Sequence, residues 1–413
     1  MKLGLIGNPL GHSWSPEIHG FLIGADYQLW PMEENQLDEF FKIREFDGIN
    51  VTIPYKKTVI DHLDEIDETA ARMQAVNTIV NHQGKLKGYN TDYIGFKRML
   101  EKHEVSPDGG KAAILGTGGA SKAAVEALNQ LGWPYVRVSR QKREDIISYD
   151  ELYERESEIT LLINATPVGM HPNIDETVVD VGRFSRLEWV IDIVANPIRT
   201  RLMFDAHIRG IRTLGGLEML VSQALSADEL FTGNRMDDRR VDECVSYLLK
   251  KRRNIVLIGM PTSGKTTVGR KLARDLGMEQ IDMDRELVKR IGMPIANYFK
   301  KNGEGAFRKL ESQLCRELRS TSGVIISTGG GVVKNEQNMF DLTSNGLVFW
   351  LDRSVEKLNA TKSRPIASDR EALERLYVER RELYEKYSDI RIDNNEALSK
   401  AAEAIEKIME ESL

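Results

Sequence analysis

The residues with the clearest chemistry form a glycine-rich loop in the second half of the chain, Gly259-Met260-Pro261-Thr262-Ser263-Gly264-Lys265-Thr266. An apolar run, residues 255–258, precedes the loop, and a helix-like segment that starts at Thr267 follows it. In the spacing G-x-x-x-x-G-K-T, backbone N–H groups surround phosphate oxygens at the positive end of a helix. Lys265 can reach the β- and γ-phosphates of a nucleotide, and the Thr266 hydroxyl can bind Mg²⁺. The loop predicts a site for ATP or a similar nucleotide and leaves the phosphate acceptor open.

A second glycine turn lies in the first half, Gly116-Thr117-Gly118-Gly119-Ala120-Ser121, between a strand-like run and a helical segment. This order predicts a dinucleotide site, although G-x-G-G-A departs from the full G-x-G-x-x-G. About twenty residues further on, NAD-binding folds carry an acid that hydrogen-bonds the ribose 2′-hydroxyl. This chain instead has Ser139-Arg140, followed by Lys142 and Arg143. Arginine would attract a 2′-phosphate, so the sequence favours NADP over NAD, while Lys142 is equally explained as part of an exposed basic loop.

Polar groups also lie at predicted strand and hairpin ends within the first hundred residues, namely Ser13, Ser15, Thr52, Lys56, Asn77 and Asp92. They suit a pocket for a small polyhydroxylated acid, in which a Lys–Asp pair would move a hydroxyl proton during oxidation. Simpler interpretations exist, because Ser15 and Asp92 suit helix caps and lysines after strands are usually solvated. Spacing alone leaves both interpretations open.

Further polar groups follow the nucleotide loop. Asp282 and Asp284 are two residues apart at a predicted strand end, so both would point to one side of the chain, towards Mg²⁺ or an acceptor hydroxyl. Arg308 lies on a predicted helix, where an arginine usually belongs to a solvated face. Three consecutive glycines, Gly329–Gly331, suggest close approach of the backbone to a ligand.

Composition limits the class of protein. A chain of 413 residues predicts two or three domains, and 41% hydrophobic with 29% charged residues is typical of globular proteins. A formal charge of −6 argues against a nucleic-acid or membrane-surface binder. Two cysteines cannot build a disulfide framework. With no signal peptide and no apolar run of membrane-spanning length, we expect a soluble cytoplasmic protein.

Four phrases of the first half, GNPLGHSWSPEIH, NVTIPYK, AVNTIV and GYNTDYIGF, resemble in order those of shikimate dehydrogenases. The resemblance continues through NATPVGM and residues 215–223. It implies that Ser13 and Ser15 bind the substrate carboxylate, and that Lys56 is the catalytic lysine paired with Asp92. The further implied substrate ligands are Thr52, Asn77, Asp92 and Gln223. The family usually has tyrosine where this chain has Ala195, a departure that affects the choice between shikimate and the related quinate.

Residues 254–395 resemble shikimate kinase through the stretches GMPTSGKTTVGRKLA, IDMD, IANYFKKNGEGAFRKLE, STGGG, SRP and RRELY. The resemblance implies that Arg308 and Arg380 clamp the shikimate carboxylate, as guanidinium forks do. Asp284 would orient the attacking hydroxyl, and Arg364 would reach the ATP phosphates from a mobile lid, here a few residues shorter than usual. The other implied shikimate contacts are Phe299, Phe307, Gly329, Gly330 and Gly331. The implied ATP contacts are Gly259, Pro261, Thr262, Ser263, Gly264, Lys265, Thr266 and Thr267, with Thr266, Asp282 and Asp284 near Mg²⁺.

We therefore expect an α/β chain with a substrate-binding domain at 1–100 and a Rossmann-like NADP domain at 101–215. Helices at 216–250 would return to the substrate-binding domain, and a P-loop kinase domain with a parallel sheet would occupy 251–413. The expected function is bifunctional: NADPH-dependent reduction of 3-dehydroshikimate to shikimate, then ATP- and Mg²⁺-dependent phosphorylation of shikimate, within aromatic amino-acid biosynthesis. The alternatives are a first half that prefers quinate, or one half that is a non-catalytic binding module.

Overall fold

The structure is a computed structural model that describes residues 1–11, 13–359 and 369–411. Contacts between residues divide the chain into two compact units, Met1–Val245 and Ser246–Leu413. This division falls between residues 245 and 246, whereas the sequence placed the start of the kinase domain at 251. The finer predicted division of the first half, at 100 and 215, stays a prediction.

The first unit contains a mixed six-stranded sheet in the order β2-β1-β3-β5-β6-β4. Strands β1, β2 and β3 are mutually parallel, and β5 and β6 form a hairpin around Gln83 and Gly84. The strands are β1 Leu3–Gly7, β2 Tyr27–Pro31, β3 Gly48–Val51, β4 Glu65–Ile66, β5 Thr78–His82 and β6 Lys85–Tyr89. The helices of this region are α1 Ser15–Ile23, α2 Leu37–Ile43, α3 Glu68–Met73 and α4 Asp92–Lys102.

The same unit contains a second six-stranded sheet, whose order is β12-β11-β10-β7-β8-β9 and whose strand pairs are all parallel. All six residues of β10 are buried, as expected for a strand covered on both faces. The strands are β7 Lys111–Leu115, β8 Tyr135–Val138, β9 Ile146–Ile147, β10 Ile159–Asn164, β11 Trp189–Asp192 and β12 Arg212–Gly215. The helices are α5 Gly119–Leu131, α6 Tyr149–Glu154, α7 Arg201–His207 and α8 Gly216–Thr232, and α9 Arg239–Arg252 begins in this unit and ends in the second.

Helix α8 packs on α1 and α4, two helices of the first-sheet region. A Cβ at Gly95 of α4 would lie 2.7 Å from the backbone nitrogen of Gln223, so the two helices touch backbone to backbone at this glycine. The buried His19 of α1 contacts Asp228 of α8 through Nδ1 and Oδ1, 2.6 Å apart. These contacts place Gln223 beside the carboxyl ends of the first sheet.

The second unit contains a five-stranded, fully parallel sheet in the order β14-β15-β13-β16-β17. Its strands are β13 Asn254–Ile258, β14 Glu279–Asp282, β15 Val324–Ser327, β16 Gly346–Asp352 and β17 Ile390–Asp393. Its helices are α10 Lys265–Leu276, α11 Met283–Ile291, α12 Ile295–Leu318, α13 Glu336–Thr343, α14 Arg370–Tyr387 and α15 Leu398–Glu411. Helix α12 is broken at Gly303, whose φ is 81°. The predicted α/β class with parallel sheets is confirmed.

Candidate active sites

The Lys56 ammonium and the Asp92 carboxylate form the centre of the first candidate site, with Nζ and Oδ2 2.6 Å apart. Lys56 follows β3, and Asp92 is the first residue of α4. The two side chains are 23% and 11% exposed, so Lys56 is not the solvated lysine of the simpler interpretation. Asp92 uses its carboxylate for these side-chain contacts and makes no cap, and α1 begins at Ser15 without a side-chain cap.

Asn77 joins the Lys–Asp pair to the rest of this site. Its amide nitrogen donates to Asp92 Oδ1 at 2.8 Å and lies 3.3 Å from Gln223 Oε1. Its amide oxygen accepts from the Thr91 backbone N–H at 2.7 Å and from the Thr78 hydroxyl at 3.0 Å. The predicted residues Lys56, Asn77, Asp92 and Gln223 therefore lie together, although they are far apart in the sequence.

The remaining predicted substrate ligands lie at the ends of β1 and β3. The hydroxyls of Ser13 and Ser15 are 3.1 Å apart, and both residues are half-buried. The Thr52 side chain packs on Gly7, where a Cβ would be 2.4 Å from Thr52 Cγ2. These three hydroxyl groups have the chemistry to bind a carboxylate and ring hydroxyls.

The dinucleotide turn joins β7 to α5 as predicted. Gly116 has a φ of 109°, and Gly118 is the N-cap of α5 and offers no side chain to the helix end. Such a bare helix start is suited to a pyrophosphate. A Cβ at Gly119 would be 3.6 Å from Lys56 Cδ, so the predicted catalytic lysine lies against this turn.

The predicted 2′-phosphate ligands follow β8. Arg140 and Arg143 are exposed, and Ser139 is half-buried. Arg140 is close enough to Tyr149 to oppose the rise in the phenol pKa that burial causes. Lys142 contacts Glu151 and so fits the open alternative of a surface loop residue. Two exposed arginines, Arg140 and Arg143, therefore follow β8, as the prediction of NADP requires.

The nucleotide loop joins β13 to α10. Gly259 and Gly264 have φ values of 144° and 97°, and a Cβ at Gly259 would be 2.7 Å from the Leu351 carbonyl oxygen. Lys265 donates to the carbonyls of Gly259 and Met260 at 2.9 and 2.8 Å. A cavity of about 320 Å³ adjoins this loop. Its lining includes Thr262, Gly264, Lys265, Thr266, Thr267, Asp282 and Asp284, together with Arg353, Lys357 and Asn359, which the sequence did not single out.

Asp282 and Asp284 both reach this cavity, but the reason given from the sequence was wrong. Only Asp282 ends β14, and Asp284 already belongs to α11, so strand alternation does not align them. Asp282 caps α11 through the Arg285 N–H at 3.1 Å and accepts from the Thr266 hydroxyl at 2.7 Å. Among the described residues no cluster of three or more His, Cys, Asp or Glu could hold a metal. The hydroxyl and carboxylates fit Mg²⁺ that is held jointly with phosphates.

Arg308 lies in a buried ion pair instead of on the solvated face that its helical position suggested. Its Nη1 is 2.7 Å from Oε2 of Glu311, which is 1% exposed, and Glu304 lies on its other side. Burial raises the pKa of Glu311, although Arg308 opposes the rise. Burial also acts to lower the pKa of Arg308, but the two carboxylates outweigh it and raise the value.

The glycine run after β15 is held by two side chains of α14. The Gly330 carbonyl accepts from Arg380 Nη1 at 2.9 Å and from the Tyr384 hydroxyl at 2.6 Å. A Cβ at Gly331 would be 2.3 Å from Arg308 Nη2, and one at Gly329 would be 3.2 Å from Asp284 Oδ1. The rings of Phe299 and Phe307 pack with their centroids 4.9 Å apart. The predicted acceptor residues are thus in one place, and Arg364 lies outside the described residues.

Sequence reasoning gave no role to Glu311 or Tyr384, nor to Arg353, Lys357 and Asn359, which line the cavity. Glu311 stands three residues after Arg308 on one helix, a spacing at which opposite charges meet. That signal was available. Tyr384 ends the stretch RRELY, but nothing local assigns it a role, because its partner is a carbonyl more than fifty residues away.

The fold and the sites define two classes of enzyme in one chain. The first unit has a dinucleotide-binding sheet and a Lys–Asp pair against its glycine turn, as in an NADP-dependent oxidoreductase. The second unit has a P-loop, a candidate Mg²⁺ site and two arginines near a glycine run, as in a kinase that acts on a small acid.

Comparisons with known proteins agree with these classes. Residues 5–79 match the family model of the shikimate dehydrogenase substrate binding domain, and residues 261–412 match that of shikimate kinase. The NADP-dependent shikimate dehydrogenase of Clostridium perfringens is 40% identical over 257 residues, which cover 57% of this chain and 94% of that protein. That of Bacillus cereus is 33% identical and covers 59% of this chain and 96% of its own length.

Solved structures give the same answer. A chorismate mutase/shikimate 5-dehydrogenase fusion protein from Clostridium acetobutylicum matches with a TM-score of 0.56 and 35% identity, over 60% of this chain and 96% of that one. The Thermus thermophilus enzyme in complex with NADP(H) and shikimate matches with a TM-score of 0.54 and 29% identity, over 60% and 99%. The chain belongs to the shikimate dehydrogenase family and continues into a shikimate kinase domain. It is a bifunctional enzyme of the shikimate pathway that uses NADP and ATP.

None of the helices in the described ranges combines the length and apolar character needed to cross a membrane.

Proposed function

We propose that the first unit reduces 3-dehydroshikimate to shikimate and that the second phosphorylates the 3-hydroxyl of that shikimate. The observation that carries the first assignment is the Lys56–Asp92 pair. Lys56 Nζ is 2.6 Å from Asp92 Oδ2, and the Lys56 side chain packs against Gly119 of the dinucleotide turn. A proton donor is thereby next to the place where a cofactor would bind. Supporting the second assignment, Asp284, Arg308 and Arg380 surround the glycine run beside the nucleotide loop.

In the dehydrogenase site, bound NADPH supplies a hydride to the carbonyl carbon of the substrate. Lys56 gives a proton to the carbonyl oxygen, so that the carbonyl becomes a hydroxyl. Asp92 holds the ammonium in place and Asn77 holds Asp92, because the three groups form a continuous hydrogen-bonded series. Ser13 and Ser15 bind the substrate carboxylate, while Thr52 and Gln223 bind its other polar groups.

In the kinase site, ATP supplies the phosphoryl group, and Thr266, Asp282 and Asp284 would hold Mg²⁺, which would offset the charge of the phosphates. Lys265 stabilises negative charge on the phosphates. Arg308 and Arg380 bind the shikimate carboxylate, and Asp284 orients the 3-hydroxyl towards the phosphate. Phe299 and Phe307 exclude water from this side of the site. Each of these roles is a proposal, as is the contribution of Arg364.

Two single substitutions in the full chain test both assignments. Lys56→Ala removes the proton donor, so we expect NADPH-dependent reduction to fall roughly 10²–10⁴-fold, the usual contribution of such a group. Lys265→Ala is expected to abolish ATP-dependent phosphorylation of shikimate. Each variant should keep the other activity, which also shows that it has folded.

Lys57→Ala is the matched control for the first substitution, because Lys57 is the exposed neighbour of Lys56. Lys271→Ala is the control for the second, because Lys271 lies on the same helix and forms an ion pair with Asp275. If neither Lys56→Ala nor Lys265→Ala changes a rate, the two-site assignment is wrong and a non-catalytic module becomes the better interpretation.

A second candidate substrate for the first unit is quinate, which Ala195 favours. The small half-buried side chain leaves out a hydroxyl that the family usually supplies. The ratio of kcat/KM for shikimate and quinate decides between them, and a clear preference for quinate would overturn the shikimate assignment.

Location in the cytoplasm is also proposed, supported by two buried free cysteines, Cys244 and Cys315.

A further inference from the structure

A buried carboxylate at the end of β11 holds several loops of the first unit together. Asp192 is 0% exposed. Its Oδ1 accepts from the Val194 backbone N–H at 3.1 Å and from the Asn164 amide at 3.0 Å. Its Oδ2 accepts from the Thr200 hydroxyl at 2.6 Å. All three donors are uncharged, so the carboxylate is held by hydrogen bonds and not by an ion pair with them.

One side of this arrangement leads to the dinucleotide turn. The Asn164 oxygen accepts from the backbone N–H and the hydroxyl of Thr166, at 3.0 and 2.7 Å. Ala165 and Thr166 in turn press on the first glycine of the turn, because a Cβ at Gly116 would lie 2.9 Å from the Ala165 carbonyl oxygen. Asp192 therefore fixes the loop against which the dinucleotide turn packs.

The other side leads to the substrate. The Val194 carbonyl accepts from the Gly216 N–H at 3.3 Å, and a Cβ at Gly216 would be only 2.0 Å from the Ile193 carbonyl oxygen. Gly216 begins α8, the helix that carries Gln223 into the Lys56 site. The loop after β11, which contains Ala195, is thus seated on the start of a substrate-binding helix.

We infer that Asp192 is a positioning residue for hydride transfer, whose carboxylate sets the loops after β10 and β11 relative to both the dinucleotide turn and α8. The inference deepens the proposed dehydrogenase function and rests on it. Carboxyl ends of parallel strands are where such folds bind their ligands, and Asp192 is the last residue of its strand. It acts through Asn164, Val194 and Thr200 and need not touch the substrate.

The cost of the charge supports this role. Burial raises the pKa of Asp192 to about 6, with the three hydrogen bonds opposing the rise. Ionisation of this carboxyl group is therefore less favourable here than in water. The ionised form supplies acceptor sites for three donors, which one amide oxygen cannot match.

The test is Asp192→Asn in the full chain, assayed with 3-dehydroshikimate and with NADPH or its 4-deuterated form. We expect kcat of the dehydrogenase to fall at least about tenfold and the deuterium isotope effect on kcat to rise, because misplaced loops slow the hydride step itself. Shikimate kinase activity is expected to stay at the wild-type level. Asp180→Asn is the matched control, since Asp180 is exposed and caps a short helical turn between β10 and β11, where it accepts from the Gly182 N–H. It should change neither quantity.

Substitutions at Thr200 keep the inference testable if Asp192→Asn does not fold. Thr200→Val removes the 2.6 Å donor and should reproduce the effect, whereas Thr200→Ser keeps a hydroxyl and should restore activity. An unchanged isotope effect in Asp192→Asn, or a loss of activity equal to the loss of folded protein in both Asp192→Asn and Thr200→Val, would overturn the inference. A wild-type chain that does not reduce 3-dehydroshikimate would instead overturn the proposed function, and the inference with it.

Discussion

The Gly330 carbonyl is the residue-scale feature on which the kinase site depends. It accepts from both Arg380 and Tyr384, and its neighbour Gly331 packs on Arg308. The two arginines proposed to bind the same carboxylate therefore both contact one short stretch of backbone. The Tyr384 hydroxyl fixes that stretch from a fully buried position.

Tyr384→Phe tests this arrangement. Loss of one hydrogen bond to a buried carbonyl costs about 0.5–1.5 kcal/mol, so we expect KM for shikimate in the kinase reaction to rise roughly 2- to 10-fold. KM for ATP should change little. Tyr387→Phe, on the same helix, removes a hydroxyl that lies 3.4 Å from Glu336 Oε2 and serves as the control. Equal effects of the two substitutions would contradict the role of Tyr384.

Asp192 also makes the stability of the first unit depend on pH. Its pKa is raised from 3.8 to about 6, so the folded state binds the proton more tightly than the unfolded state does. The stability that the neutral acid contributes is complete below about pH 4 and is lost as the pH rises through about 6. The shift corresponds to about 3 kcal/mol.

Asparagine at this position does not titrate. The free energy of unfolding of Asp192→Asn minus that of the wild type should therefore increase by roughly 2 kcal/mol between pH 4 and pH 7, as measured by urea unfolding of the first unit within the full chain. The Asp180→Asn control should show a flat difference. A flat difference for Asp192→Asn would mean that the carboxyl is not buried as described.

Most of the site residues proposed from the sequence lie in local patterns of residue type and spacing. Glycine spacing was enough for Lys265, whereas spacing left Lys56 and Asp92 open and only the resemblance to shikimate dehydrogenases assigned them. The relation of Asp282 to Asp284 was not predictable, because it depends on a strand that ends at Asp282 and a helix that begins at Met283. Asp192 was not singled out from the sequence, since its side-chain partners Asn164 and Thr200 come from two other segments of the chain.

At the scale of elements, each glycine turn is defined by what its backbone approaches. Gly116 packs on Ala165 at the end of β10, a neighbouring strand in the sheet. The sequence predicted the strand, the turn and the helix, but the neighbouring loop is a tertiary contact that no local pattern specifies. The same holds for Gly216 of α8 and the loop after β11.

Gly116→Ala separates this close approach from simple backbone strain. Alanine in the left-handed region costs roughly 1–2 kcal/mol at Gly132, whose φ is 69°, and at least as much at Gly116, whose φ is 109°. Only at Gly116 does the added Cβ also meet a carbonyl oxygen, at 2.9 Å; around Gly132 nothing lies within 4 Å. We expect Gly116→Ala to raise KM for NADPH at least about tenfold and Gly132→Ala to affect stability alone. Matching KM values for the two variants would show that the close approach is unimportant.

At the scale of the whole molecule, the described residues assigned to each reaction fall within a single unit. Those of the dehydrogenase site lie in Met1–Val245 and those of the kinase site in Ser246–Leu413. The product proposed for the first site is the substrate proposed for the second. Each unit therefore has the described groups for its own step, and shikimate is the only molecule that must pass between them.

This separation predicts that two inactive chains complement each other. Neither Lys56→Ala nor Lys265→Ala alone should convert 3-dehydroshikimate, NADPH, ATP and Mg²⁺ into shikimate 3-phosphate. An equimolar mixture should form it after a lag, because shikimate released by the Lys265→Ala chain must accumulate before the Lys56→Ala chain can use it. Added shikimate should remove the lag. A mixture that stays inactive, while each variant keeps its single activity, would show that the intermediate passes only within one chain.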